Sequence, residues 1–533
     1  MLIYFSEPFI YGVDMKNKKF GKILDGALSL TVSALVVKIL GVIYKVPLSY
    51  ILGDGGMGYF NTAYTVYGFF YVLCSAGVPK AITCLVSEST SEVEIKKIFS
   101  YSLKLFAVIG SALSLLLLIL APLTVKLIGN PGALFTLIVI GPSVLFVATG
   151  GVCRGYLAAV GRLLPIAVSQ VIEAACKLIL GILLSRLGVS IGLPEQKVAA
   201  LAVFGITVGS AISTGLLILS CKIRIKGNTS GQSKIISQTK IFKKLLKIAL
   251  PITVGSSVLT LSSLIDMTVT LRCLKGIGFD SMSANELYGN YTTLAIPMFN
   301  LVVSLITPLT VKLLPDLIKM RNDRKRFNLE FNRALGVTSF LVAPCVFVYY
   351  YFSFDLLDIL FTSAQSARGF EMLSALSFSL FFLCILNVTN TVHEANGRFT
   401  VTIGSLLLGT VLKLILEPVL ILYTPLGALG VPISTLISHL SGLTVSIVYL
   451  LKDDIRIRPV RVIAPALAAM VSFGIPFRLL YPIGGFFGTA LGVISLWLVG
   501  SILYFVILII PGFIAHRIGS KVKLTKFSSV CRN

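Results

Sequence analysis

Fourteen times the chain runs almost without charge for about the 20 residues that a helix needs to cross a bilayer. These runs lie near 27–50, 58–79, 101–125, 132–153, 164–187, 198–221, 248–271, 288–314, 333–352, 371–392, 399–422, 427–450, 460–481 and 487–512. The runs carrying Lys38 and Lys177 fit the pattern least well. Of the 533 residues, 56% are hydrophobic and only 13% charged, about half the charge of an ordinary soluble domain. That excludes a soluble enzyme, a disordered chain and a disulfide scaffold. The expected fold is an all-α integral membrane protein with about 14 transmembrane helices.

Basic residues outnumber acidic ones by 46 to 22, a net charge of +24. In a soluble protein this excess would point to nucleic acid. Here the clusters fall at Lys16–Lys22, Lys96–Lys97, Arg154–Arg162, Lys222–Lys247, Lys319–Arg333, Arg398, Lys452–Arg461 and Arg517–Arg532, which are the N-terminus, every second connection and the C-terminus. The alternate connections are short or nearly free of Lys and Arg. Positive charge collects on the cytoplasmic side, so both termini are expected there, in a cell membrane, with no nucleic-acid partner. The acid-free loop 222–247 reads as an anchor joining two halves, or as a contact for anionic headgroups. Residues 1–14 hold no basic n-region and are too short to span, so Met15, which opens a basic stretch, is expected to be the initiator. Nine cysteines form no CxxC or metal spacing, and His393, His439 and His516 are scattered, so no metal and no cofactor are expected.

Two offsets recur along the chain. At 229, Tyr59, Asn61, Phe70, Ser75 and Pro79 match Tyr288, Asn290, Phe299, Ser304 and Pro308. At 236, Gly161-Arg162 matches Gly397-Arg398, and Lys177-Leu-Ile-Leu matches Lys413-Leu-Ile-Leu. A polar set in shared register implies two copies of a six-helix unit. An even number of spans gives both copies one orientation, as a parallel repeat about an axis along the membrane normal. The expected organisation is a cytoplasmic segment 1–24, a six-helix lobe 25–221, a basic linker 222–247, a second lobe 248–451, accessory helices over 452–512 and a basic tail 513–533.

Charge at mid-bilayer costs about 2.5–3.5 kcal/mol on insertion scales and usually faces a cavity or a partner. Lys38 and Lys45 share one face of the first span, Arg154 closes the fourth, Asp266 lies in the seventh and Arg272 near its outer end. Glu173 and Lys177 are an i,i+4 pair, as are Lys413 and Glu417, and each pair either neutralises itself inside the bundle or lines a cavity. A wet cavity lined by Lys and Arg selects an anion, phosphate above all. The expected substrate-binding residues are therefore Lys38, Lys45, Arg154, Arg272 and Lys177, with Glu173, Asp266, Lys413 and Glu417 balancing charge or gating. Prolines 79, 142, 165, 251, 297, 308, 418 and 476 interrupt the spans, which suits a moving transporter. Gly53-Asp-Gly-Gly-Met-Gly58 matches a dinucleotide fingerprint in letters only; without a strand before it, the glycines read as a tight interhelical turn. Gly227–Lys234 resembles a phosphate loop but fails the Walker pattern, so ion gradients or membrane potential must supply the energy.

The stretch Leu35–Glu88 resembles the opening of the stage V sporulation protein B family, and 154–177, 249–274 and 287–301 are similar to it as well. That family stands in the polysaccharide-transport branch of the multidrug/oligosaccharidyl-lipid/polysaccharide exporter superfamily. The resemblance implies a flippase, not an enzyme, moving an undecaprenyl-diphosphate-linked oligosaccharide of lipid II type by alternating access, for peptidoglycan and with a spore-cortex role in view. It implies membrane lipids and cell-wall synthesis proteins as partners, and a monomer. It places Lys38 and Lys45 where relatives carry cavity-facing basic residues, with Arg154, Glu173, Asp266 and Arg272 in matching motifs. The stretch Thr391–Gly397 departs from the family; His393 and Glu394 there read as a polar cytoplasmic cap or a proton-coupling pair. Alternatives are a flippase for another polyprenyl-linked glycan, and a cation-coupled multidrug exporter, against which the mid-membrane lysines argue. A membrane-embedded polymerase or glycosyltransferase would need catalytic carboxylates on a sizeable external loop, whereas the external loops here are short, and a non-transporting scaffold would leave the cavity charges unexplained.

Overall fold

A computed structural model describes residues 18–89, 91–225, 238–361, 363–453, 455–483, 489 and 491–508. Met15, Cys531, the glycine loop 227–234 and the tail 513–533 lie outside them. Among the described residues there is no strand. The helices are α1 (Lys18–Ser75), α2 (Val78–Glu88), α3 (Glu92–Ile128), α4 (Leu134–Ile140), α5 (Ser143–Ala159), α6 (Leu164–Ser190), α7 (Glu195–Ile225), α8 (Gln238–Gly276) and α9 (Ser281–Asn290). They continue with α10 (Ile296–Lys319), α11 (Arg324–Tyr351), α12 (Ser353–Leu360), α13 (Ser363–Ala395), α14 (Phe399–Tyr423), α15 (Gly430–Lys452), α16 (Val460–Leu480) and α17 (Leu491–Leu508).

Local chemistry explains where helices start and stop. Glu92 and Glu94 sit in the first turn of α3, Lys126 in its last, and Gly129 closes it at φ 84°, all favourable to the helix dipole and its free carbonyls. Asp280 caps α9 by accepting from the backbone N–H of Met282 and Ser283. α1 covers 58 residues but breaks at Gly53, whose φ is 63°. Unbroken it would be about 87 Å long, far more than a bilayer, so two expected spans lie either side of that glycine. Among the described residues, twelve segments are long and apolar enough to cross a membrane, one of them Val32–Glu88, which runs across that glycine. Large apolar side chains of α3 (Val108, Leu115, Ile119, Leu123, Leu127) are exposed, as lipid-facing surface must be.

The chain packs as two compact units, one of Met15–Thr293 with Glu417–Ala428, the other of Leu294–Leu416 with Leu429–Asn533. This division differs from the sequence repeat because α8 packs on α1, α2 and α3, and α9 on α1. The first unit's core includes Ile82, Phe99, Val152, Tyr156 and Leu217. The second is built around Phe327, Phe331, Leu386, Val392 and Leu450. Within it α16 and α17 pack against the α11 side through Phe473 and Tyr504, and the Tyr504 hydroxyl donates to the Phe340 carbonyl at 2.9 Å.

Candidate functional site

Along α1 of the first unit, residues 60, 64, 67 and 71 recur at helical spacing and bring one face of rings into line. The centroid distances are 6.0 Å for Phe60–Tyr64, 6.2 Å for Tyr64–Tyr67 and 5.8 Å for Tyr67–Tyr71, and Tyr44 joins edge-on to Phe60 at 5.9 Å. α6 lies against this face and delivers Lys177, whose Nζ stands 4.4 Å from the Tyr64 ring centroid and 5.2 Å from that of Tyr44. A cation over a ring face is held by the ring's quadrupole. Lys45 is close enough to Lys177 to feel its charge, and its Nζ donates to the Thr292 carbonyl at 3.0 Å. Thr292 belongs to a π-turn, Tyr291–Ala295, a widened turn that often marks a functional position.

At the far end of the ladder Tyr67 and Tyr71 flank Arg154 of α5. Its Nη2 lies 3.7 Å from Glu173 Oε2, with both side chains largely buried, and its Nε meets no acceptor. The i,i+4 pairing of Glu173 with Lys177 therefore gives way to a longer-range one. A buried guanidinium needs a counter-ion, and the Lys177 stem is already drawn over the rings. First-span, fourth-span and fifth-span charges are thus gathered around one tyrosine face.

The other expected residues lie elsewhere. Lys38 is exposed on α1. Arg272 Nε donates to the Leu127 carbonyl at 2.7 Å and Lys275 to that of Gly129, so both satisfy the end of α3. Asp266 is half-buried on α8. Glu417 is fully buried and accepts from the Thr270 hydroxyl at 2.5 Å. Lys413 is half-buried on α14, near His439. His393 is fully buried, with Nε2 3.1 Å from both the carbonyl and the hydroxyl of Ser446, so it is no solvated cap. No group of His, Cys, Asp and Glu fit for a metal occurs among the described residues, and their eight cysteines are free.

The Gly53–Gly58 run makes a close helix contact as well as a break. A Cβ at Gly58 would meet the Asn285 carbonyl oxygen at 2.4 Å, and one at Gly289 the Asp54 carbonyl oxygen at 2.6 Å. Amides tie the same crossing, with Asn285 donating to the Gly55 carbonyl at 2.7 Å, Asn130 to the Asn285 side chain at 2.7 Å and Asn61 to Thr293 Oγ1 at 2.7 Å. Outside the spans, hydrogen bonds to Ser283 and Met282 hold the Asp280 carboxyl below its usual range, and burial raises that of Asp355 despite a hydroxyl donated by Tyr481 at 3.1 Å. The tyrosine ladder went unnoticed in the sequence; its 60, 64, 67, 71 spacing was the available signal.

Membrane-length helices with lipid-exposed apolar faces and cations gathered among them define a multi-pass membrane protein with an all-helical transporter fold. The chain belongs to the polysaccharide biosynthesis protein family, whose sequence model matches residues 23–320. It is 23% identical over 436 residues to Stage V sporulation protein B of Bacillus subtilis (strain 168), covering 79% of this chain and 83% of that protein. It is also 22% identical over 439 residues to Lipid II flippase MurJ of the same strain, covering 75% and 77%. Among solved structures it resembles Lipid II flippase MurJ in an inward closed conformation, with TM-score 0.71 and 18% identity over 90% of this chain and 97% of that one.

Proposed function

We propose that this protein is a flippase for an undecaprenyl-diphosphate-linked oligosaccharide, of the lipid II type, serving peptidoglycan and the spore cortex. The observation that carries the reading is the Arg154 guanidinium: buried, only loosely paired with Glu173 at 3.7 Å, and with one N–H unmet. A buried donor without an acceptor is costly, and a diphosphate oxygen is the partner that a guanidinium fork fits best. Lys45, Lys177 and the exposed Lys38 supply further positive charge, and Arg272 extends it toward the outer end. Glu173, Asp266, Lys413 and Glu417 balance charge or hold gates. The relatives named above are a sporulation protein and a lipid II flippase, which supports a transporter rather than an enzyme.

In this reading, lobes 25–221 and 248–451, joined by 222–247, rock between inward- and outward-open states, and 452–512 guide the polyprenyl tail in lipid. The bound headgroup must favour one state over the other for the cycle to turn. Both termini lie in the cytoplasm, the protein acts as a monomer, and it works beside cell-wall synthesis proteins.

The test is a lipid II accessibility assay in cells depleted of their own flippase, with the native protein and Lys38→Ala. Lys38 is exposed, so its removal leaves the fold intact. Restored external precursor with the native protein, reduced in the variant, is the expected result. No restoration by a membrane-inserted native protein overturns the lipid II assignment and leaves another polyprenyl-linked glycan, then drug export, as the reading. Equal restoration by both removes Lys38 from the substrate path.

A further inference from the structure

The second unit carries a cluster of arginines that the flippase reading does not use. Three separate segments meet at one end of this unit: the α10–α11 turn with Arg321, Asn322 and Arg324; the α13–α14 turn with Asn396 and Arg398; and Asp453 after α15. Together they line a cavity of about 300 Å³. Arg321 Nη2 donates to the Asn396 carbonyl at 3.1 Å, and Arg398 Nη1 lies 2.5 Å from Asp453 Oδ1. Among the described residues, Arg398 thus neutralises the one carboxylate in the lining, and two guanidiniums remain in excess. The next residues along two of these segments line a second cavity of about 340 Å³, with Lys325, Asn328, Leu329, Asn332, Arg456 and Arg458 and, among the described residues, no acid. Asn332 fixes its wall by donating to the Arg456 carbonyl at 2.8 Å and accepting from the Arg458 N–H at 2.6 Å. The side chains of Arg324, Lys325, Arg456 and Arg458 form no ion pair among the described residues.

Positive-inside topology asks only that a loop carry Lys or Arg. It gives no reason for two loops to aim guanidiniums at one cavity, nor for an asparagine to brace the backbone between Arg456 and Arg458. Like charges brought together in this way repel unless an anion sits among them, and the planar guanidinium fork matches phosphate oxygens two at a time. We propose that this end of the second unit is a binding site for a phosphate-bearing anion, seated between Arg321, Arg324 and Arg398 and steered there by Lys325, Arg456 and Arg458. A phosphate group is the shared chemistry, and it has two sources, a soluble diphosphate and an anionic lipid headgroup. The site does not rest on the flippase reading, and its failure leaves that reading untouched.

The experiment uses the full chain in nanodiscs. In phosphatidylcholine discs, pyrophosphate is titrated against thermal unfolding, with sulfate at matched ionic strength as control. In a second arm, phosphatidylglycerol is added to the discs instead. Both arms are repeated with Arg324→Gln, with Arg321→Gln/Arg324→Gln, and with Lys96→Gln/Lys97→Gln as a control that removes the same charge elsewhere. Saturable stabilisation by pyrophosphate, about tenfold weaker in the arginine double variant and unchanged in the lysine one, supports the site with a soluble source. Stabilisation by phosphatidylglycerol alone, with the same dependence on the variants, supports it with a lipid source. No stabilisation in either arm, or equal loss in both double variants, overturns it. Arg324 is exposed and free of ion pairs among the described residues, so the single variant folds and the test stays decisive.

Discussion

The offsets that recur in the sequence allow two regions of one molecule to be compared position by position. In the first unit Arg154 meets Glu173 at 3.7 Å with Ser169 nearby in sequence. At the positions 236 residues further on, the second unit has Asn390, Gly409 and Ser405. There the Ser405 hydroxyl donates to the Asn390 side chain at 3.2 Å, and a neutral hydrogen bond stands where the first copy holds an ion pair. The tyrosines differ in the same sense. Tyr64, Tyr67 and Tyr71 correspond, 229 residues on, to Thr293, Ile296 and Asn300. Arg154, Glu173 and the tyrosine face have no counterpart at these offsets, while Lys177 keeps one in Lys413. Where the first region pairs charges inside its helices, the second satisfies the same positions with neutral groups.

Packing explains why the acid has no counterpart. A Cβ on Gly409 would meet the Ser438 carbonyl oxygen at 2.7 Å, so α14 and α15 touch backbone to backbone there. Gly409→Glu is therefore the substitution with the largest expected effect. It overpacks the contact and buries an unpaired charge, at a cost of about 4 kcal/mol or more, read as loss of monodisperse protein on fluorescence-detected size exclusion. Arg154→Leu comes next. It strands Glu173 and costs about 3 kcal/mol in thermal unfolding, most of it recovered in Arg154→Leu/Glu173→Leu, while Asn390→Leu costs about 1 kcal/mol. Equal losses from Arg154→Leu and Asn390→Leu would erase the distinction between the copies.

The membrane class and the all-helical fold were legible because hydrocarbon tolerates so few sequences. The family was legible from motifs that span most of the chain. Charges in the spans announced themselves through the same cost, which is why Lys45, Arg154, Glu173 and Lys177 could be named before any geometry. Their partners could not. Spacing offers only i,i+4 neighbours, so Glu173 pointed to Lys177, while the fold brought Arg154 from another helix. Glu417 likewise has Lys413 one turn away, yet its carboxylate also accepts from Thr270, far off in sequence. Tyrosines in an apolar span look like core, so the ladder stayed hidden, and His393 looked like a cap because its burial depends on α15. The glycines of 53–58 read as a turn, but the chain breaks only at Gly53, and the crossing of the others with Asn285 and Gly289 needed three dimensions.

Two smaller effects sharpen the comparison. Lys177→Met removes the cation from the rings of Tyr44 and Tyr64 and costs about 1 kcal/mol, whereas Lys177→Arg keeps the contact and the stability. Unfolding of both in the same detergent checks this; a methionine variant as stable as the native protein would deny the ladder any hold on the lysine.

The smallest effect concerns how the matching spans begin. The second span starts at a glycine break, Gly53 with φ 63°, whereas α9 starts at a capping carboxylate, Asp280, whose oxygens take the N–H groups of Met282 and Ser283 at 3.1 and 3.3 Å. A hydrogen bond from the Ser283 side chain, together with those two, holds the folded carboxyl below its ordinary value of 3.8. A carboxyl lowered in the fold contributes stability above its ordinary range, and that contribution fades as pH falls through the lowered value. The native protein should therefore melt above Asp280→Asn at about pH 7, and the gap should narrow as the pH falls below the ordinary value of 3.8. A gap that stays constant with pH would mean that the side chain caps α9 by shape alone, as Gly53 shapes the start of the second span without any charge.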